Sequence, residues 1–120
     1  MIGEPLYALN FYSPIVENQL RSGRKSATIR LGDKSAKYRK GMIVSVLAGP
    51  RFSPRKKIFD AVIDKVEVKR LGELSPNELE HDNPEIRRVE DIVGFLGTLY
   101  NRIVTEDDVV TLIRFSEIRP

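Results

Sequence analysis

The sequence predicts an α+β domain, a strongly curved sheet or small β-barrel flanked by about three helices. Three observations carry this prediction. Alternating or aromatic-rich apolar stretches recur at 6–12, 26–31, 42–48, 58–68 and 108–118, which gives five strands. Segments with helical spacing fall between the first and second strand and between the fourth and fifth, so the order is β-α-β-β-β-α-α-β. The chain of 120 residues has no internal repeat and no linker, so residues 1–120 form one domain around one core.

Each element has a local cause. Leu6 to Tyr12 is aromatic-rich and stops at Ser13-Pro14, where Ser13 caps a helix and Pro14 takes its first position. That helix carries Ile15, Val16 and Leu20 and ends at Gly23, the residue type that adopts positive φ most cheaply. From Ser26 to Leu31 the chain alternates, with Ala27, Ile29 and Leu31 on one face and Ser26, Thr28 and Arg30 on the other. The polar stretch from Gly32 to Gly41 is a loop, and Met42 to Ala48 is a strand ended by Gly49-Pro50. Gly49 to Lys57 reads as an exposed arm. Ile58 to Val68 is a long strand that buries Ile58, Ala61 or Val62, Val66 and Val68; its phase slips near Ala61, the mark of a bulge. Ser75-Pro76-Asn77-Glu78 is a capping box opening a short helix that ends around His81. Asn83-Pro84 opens a longer helix through about Tyr100, striped by Ile86, Val89, Ile92, Val93, Leu96, Leu99 and Tyr100. Gly94 and Gly97 weaken that helix and imply close packing of its back against a strand. Asp108 to Ile118 is apolar enough for a central strand.

Composition excludes several functions. Hydrophobic residues make up 41% and charged ones 31%, the balance of a soluble globular protein. With no cysteine there is no disulfide and no thiolate metal site, and one histidine, His81, rules out a histidine-rich site, so no metal and no cofactor are expected. No apolar run is long enough to span a bilayer and the first residues lack a cationic flank. A cytoplasmic protein without a membrane partner is the expectation. A net charge of +3 permits a phosphate-bearing partner without demanding one.

The chemistry concentrates in Ser22-Gly23-Arg24-Lys25-Ser26-Ala27-Thr28-Ile29-Arg30-Leu31. Thr28 and Arg30 share the polar face of a strand and point into one cleft, and Lys25 stands at the turn before them. A threonine hydroxyl needs a base to act as a nucleophile, and a lysine whose pKa is depressed by burial and by a neighbouring cation can serve. Arg24 and Ser26, on either side of Lys25, join Arg30 as substrate-binding candidates. Arg30 near mid-strand needs an anion, either a ligand phosphate or a carboxylate from Glu80, Asp82 or Glu85. His81 is a capping or surface residue beside this site. Two loops add cations, Lys34, Lys37, Arg39 and Lys40 in one and Arg51, Arg55, Lys56 and Lys57 in the other, with Tyr38 and Phe52 interleaved. Cations for phosphates and rings for bases are how single-stranded RNA is held.

The string Gly23, Lys25, Thr28, Arg30, a G-x-K-x-x-T-x-R pattern, resembles the signature of the ASCH domain family within the PUA-like superfamily of small RNA-associated barrels. The resemblance implies a PUA-like curved sheet and a partner that is RNA or a modified nucleoside. Bacterial members hydrolyse N4-acetylcytidine with a lysine, a threonine three residues on and a distant glutamate just before a helix; Lys25 and Thr28 match the first two. The stretch Glu80-His81-Asp82-Asn83 is similar to the glutamate-bearing segment, and its best register puts Asp82 at the acidic position, one methylene shorter. The resemblance thus implies Lys25, Thr28 and Asp82 as catalytic residues of an amidohydrolase, or the same cleft reading RNA without turnover, or an adaptor of the kind found in transcription coactivators.

Overall fold

The computed structural model describes residues 7–12, 16–50, 53–82 and 88–119. The expected caps at Ser13-Pro14 and Asn83-Pro84, and the candidates Arg51, Phe52 and Glu85, lie outside the described residues. Strand β1 (Tyr7–Phe11) is followed by α1 (Val16–Arg21), β2 (Ala27–Leu31), β3 (Ile43–Ala48), β4 (Lys56–Arg70), a 3-10 turn (Leu71–Glu73), α2 (Pro76–Asp82), α3 (Val89–Tyr100) and β5 (Val109–Glu117). The order is the expected one. Lys56 and Lys57, expected in the arm, are instead the first residues of β4.

The five strands form one curled α+β half-barrel sheet in the order β1-β3-β4-β5-β2, with β1 and β3 parallel and the other pairs antiparallel. Strand β4 is long because it serves both halves, pairing with β3 at its start and with β5 to its end. It bulges on either side of Ala61. Opposite β3 the register steps from Phe59 to Lys57 and leaves Ile58 extra, and opposite β5 it steps from Ile63 to Lys65 and leaves Asp64 extra. Each bulge switches the side-chain parity once. Ile58, then Ala61 and Ile63, then Val66 can therefore all face inward, while Val68 ends 42% exposed against the expectation of burial.

Where a single core is expected, the two faces of the sheet carry separate cores, because β2 and β5 bury side chains on both faces. Leu9, Phe11, Val44, Val46, Ile63, Ile113 and Phe115 fill the inner face of the curl. Ala27, Ile29, Leu31, Val110 and Leu112 pack against Leu79 of α2 and against Ile92 and Leu96 of α3. Helix α2 starts on the expected capping box: Ser75 N–H donates to Glu78 Oε1 at 2.9 Å and Glu78 N–H to Ser75 Oγ at 3.2 Å. Gly23 has φ +78, which stops α1 and swings the chain into β2. Neither glycine of α3 backs onto a strand. A Cβ on Gly97 would come within 3.2 Å of the Arg102 carbonyl, whereas one on Gly94 would meet nothing within 4 Å among the described residues.

Strands β1 and β2 are the two edges of the sheet, and side chains bridge the gap between them. Arg30 Nη2 donates to Asn10 O at 3.0 Å and the Tyr38 hydroxyl donates to Ala8 O at 2.8 Å, so two carbonyls of the β1 edge are satisfied without a sixth strand. Strand directions make β2 antiparallel to β1 across this gap. With Arg30 opposite Asn10, Thr28 lies toward the Phe11–Tyr12 end.

Candidate functional site

The turn that carries Lys25 is fixed from two helices. Lys25 N–H donates to Gln19 O at the end of α1, and Ser26 N–H donates to His81 O at the end of α2. This docks the last turn of α2 against the start of β2. Asp82 then stands beside the outer edge of β2, where its Oδ1 accepts Ile29 N–H at 3.0 Å and Lys25 Nζ at 3.1 Å. Lys25 Nζ also donates to Asp82 O at 2.6 Å and to Ala27 O at 2.9 Å. All three ammonium protons have acceptors, one of them the free carbonyl at the C-terminal end of α2, where the helix dipole favours a cation.

Lys25 and Asp82 are buried, at 6% and 7% exposure. Burial lowers the Lys25 pKa; the Asp82 carboxylate works against that, Arg30 works with it, and the outcome is a value below the usual 10.5. On the neighbouring inner face, Arg30 Nε donates to Thr28 Oγ1 at 2.9 Å. Both cations lie over one ring, with Lys25 Nζ and Arg30 Cζ each 5.0 Å from the Phe11 centroid. Two bonded pairs, Lys25 with Asp82 and Arg30 with Thr28, thus meet at Phe11 through their cations.

Several expectations need adjustment. Thr28 and Arg30 share a face as alternation requires, but Thr28 is 4% exposed, and the half-buried Arg30 guanidinium covers its hydroxyl. Arg30 does not meet the expected carboxylate: among the described residues its partners are a hydroxyl, a carbonyl and a ring, because Asp82 is taken by Lys25 and the β2 edge. Arg24 is exposed, with Nε on Ser22 Oγ at 3.2 Å, and Ser26 contributes backbone bonds to His81 and Phe115. His81 is held through Nδ1 to Asn77 O at 2.7 Å on the exposed side of α2.

The two basic loops do not flank one cleft. They enter and leave β3, so they sit at opposite ends of a strand about 20 Å long. Lys37, Arg39 and Lys40 are exposed at the start of β3. At its other end Arg55 lies 5.4 Å over the Tyr12 ring, Lys56 pairs with Glu17 and Lys57 with Asp60. Tyr38 is no stacking platform, being 5% exposed with its hydroxyl committed to Ala8 O. Sequence reasoning missed Phe11 and Asn10. The aromatic richness of β1 was the only signal for the first, and a backbone carbonyl acceptor leaves none.

Among the described residues no group of acidic or histidine side chains could hold a metal ion, and no helix is long and apolar enough to cross a membrane. No family model matches the sequence, and no curated protein matches it. Solved structures do. A protein of Enterococcus faecalis assigned to the DUF984 family is 16% identical with a TM-score of 0.69, over 94% of this chain and 81% of that one. The ASCH domain of Lactobacillus crispatus is 14% identical with a TM-score of 0.61, over 92% of this chain and 80% of that one. A hypothetical protein is 16% identical with a TM-score of 0.65, over 91% of this chain and 96% of that one. The chain has the fold of an ASCH domain, and its curled α+β sheet is consistent with the expected PUA-like one.

Proposed function

We propose that this chain is an ASCH-type domain that takes a modified nucleoside, free or within RNA, into the site around Phe11 and hydrolyses an N-acyl amide such as that of N4-acetylcytidine. One observation supports the reading above all. Lys25 and Asp82, 57 positions apart, meet in a buried pair that bonds Ala27 O and Ile29 N–H on either side of Thr28, whose hydroxyl already accepts an arginine N–H.

In this reading the Arg30 bond to Thr28 Oγ1 lowers the cost of a developing alkoxide. Lys25, whose pKa burial lowers, acts in its neutral form and takes the Thr28 proton once its lone pair at the hydroxyl replaces its bond to Ala27 O. Thr28 Oγ1 attacks the acyl carbon, the C–N bond breaks, and Lys25 returns the proton to the leaving amine. Water then cleaves the threonine ester and releases the acid. Asp82 keeps Lys25 in place throughout. Substrate reaches Thr28 once Arg30 leaves Asn10 O, so Arg30 also screens the nucleophile. Exposed cations nearest this end of the sheet, Arg55 above all, hold the phosphates when the nucleoside is part of RNA; Lys37, Arg39 and Lys40 engage a strand that runs along β1 to the far end.

The test is incubation of the pure protein with N4-acetylcytidine and quantification of cytidine and acetate. Because Thr28 and Lys25 act as a unit, Thr28→Ala, Lys25→Ala and the double variant should each lose about the same factor in rate. Losses that multiply would sink the shared role. A second reading, binding without turnover, is favoured by the three acceptors that already occupy Lys25 Nζ. It predicts that wild type binds N4-acetylcytidine without cleaving it, while Asp82→Glu, one methylene longer, gains cleavage.

A further inference from the structure

Helix α3 carries two faces, and the described residues of its own fold cover one. Ile92 and Leu96 are buried under β2 and β5, with Val89 and Val93 packed beside them. Positions 91, 94, 95, 98 and 99 form a second face with the i, i+3, i+4, i+7, i+8 spacing of a buried helix stripe. Phe95 is 43% exposed and Leu99 37%, and beyond the helix end Ile103 is 87% exposed. Gly94 lies on that face. A helix-interior glycine destabilises the helix, and here no neighbour among the described residues requires it, since a Cβ would meet none of their atoms within 4 Å. A close approach from outside the chain gives both the glycine and the exposed apolar side chains a reason.

Charge along the helix selects the occupant. Its first turn is acidic, with Glu90 and Asp91, and Arg102 follows its C-terminal end. Two copies of α3 laid antiparallel about a two-fold axis near Gly97 set Phe95 of each against Leu99 of the other. The same operation brings Asp91 of each opposite Arg102 of the other. Arg102 is anchored by Asp108 at 3.0 Å and keeps 52% of its side chain exposed toward such a partner. A self-complementary face of this kind is what a two-fold dimer needs. We infer that α3 is a homodimer interface built on Asp91, Gly94, Phe95, Thr98, Leu99 and Arg102. Its modest size places it among concentration-dependent interfaces rather than obligate ones.

Sedimentation equilibrium of the full chain across a wide concentration range tests this. Wild type should shift from monomer to dimer as concentration rises, and Phe95→Asp should stay monomeric with an unchanged circular dichroism spectrum. Gly94→Ala separates an interface from a fold effect. The added methyl should raise the unfolding temperature of the monomer by strengthening the helix, yet weaken the dimer about tenfold by wedging the helices apart. Asp91→Lys should weaken the dimer as well, and less so at high salt. A wild type that remains monomeric throughout overturns the proposal. So does a dimer that survives both Phe95→Asp and Gly94→Ala, or one that Gly94→Ala tightens.

Discussion

Lys25 and Asp82 are where structure and chemistry compete for the same atoms. The Asp82 carboxylate caps the Ile29 N–H of an edge strand while neutralising Lys25, so it keeps β2 from offering a free N–H there. Lys25→Met leaves that carboxylate buried with one amide donor and should cost about 3–5 kcal/mol in urea unfolding. Asp82→Asn, which keeps an acceptor for Ile29, should cost less; a loss below about 1 kcal/mol for Lys25→Met would show that the pair is not holding the turn. The pH dependence has a definite sign. The folded-state pKa of Lys25 is below the unfolded 10.5, so the unfolded chain binds more protons between the two values. Stability should therefore rise with pH through that window in wild type and lose this component in Lys25→Met. Thr28→Ala is not silent either: it strips Arg30 Nε of its acceptor and should cost about 1 kcal/mol.

Helix α2 delivers Asp82 to the site, so whatever fixes its first turn also positions the acid. Glu78 closes the capping box with Ser75 and binds Lys69 of β4 at 3.0 Å, which ties the helix to the sheet at the end away from Asp82. Burial raises the Glu78 pKa, but the Ser75 N–H and Lys69 more than offset it and leave the value below 4.5. A carboxylate lowered in the folded state stabilises above its unfolded pKa and loses that contribution as pH falls through the folded one. Ser75→Ala should cost about 1 kcal/mol near neutral pH. Glu78→Gln should flatten the acid limb of the stability curve below pH 4.5. If the acid limb is unchanged, the Lys69 and Ser75 contacts are not maintained in solution.

At the scale of the whole molecule, an open five-stranded sheet behaves as a closed half-barrel because Arg30 and Tyr38 satisfy the β1 edge. One of these bonds belongs to the candidate site and the other to the far end of the seam. Tyr38→Phe removes the far one and leaves Ala8 O unpaired, at a cost of about 1–2 kcal/mol. Hydrogen exchange should then quicken in β1 while β4 and β5, at the centre of the sheet, keep their protection. Uniform acceleration in all strands would mean that the seam opens only on global unfolding. Equal protection in variant and wild type would mean that the parallel pairing to β3 alone secures β1.

Short-range rules made most of the elements legible. Period-two alternation marks β2, Ser75 and Glu78 three residues apart mark the start of α2, and Gly23 marks the end of α1, because each depends on neighbours within one turn or one strand. The bulges of β4 showed only as a phase slip at Ala61, since their positions at Ile58 and Asp64 depend on which strands lie on either side. For the site, alternation alone sets Thr28 and Arg30 on one strand face with Lys25 at the turn before them. Everything that crosses the gap between the edges depends on the assembled sheet. It gave the carboxylate to Lys25 rather than Arg30, sent Arg30 to a carbonyl of Asn10, placed Phe11 beneath both cations and buried Tyr38. The reason is physical: every residue carries a backbone carbonyl, so an acceptor of that kind has no compositional mark. Which one is free at an edge follows only from strand order, register and curl, and these are fixed by the packing of residues far apart in the chain.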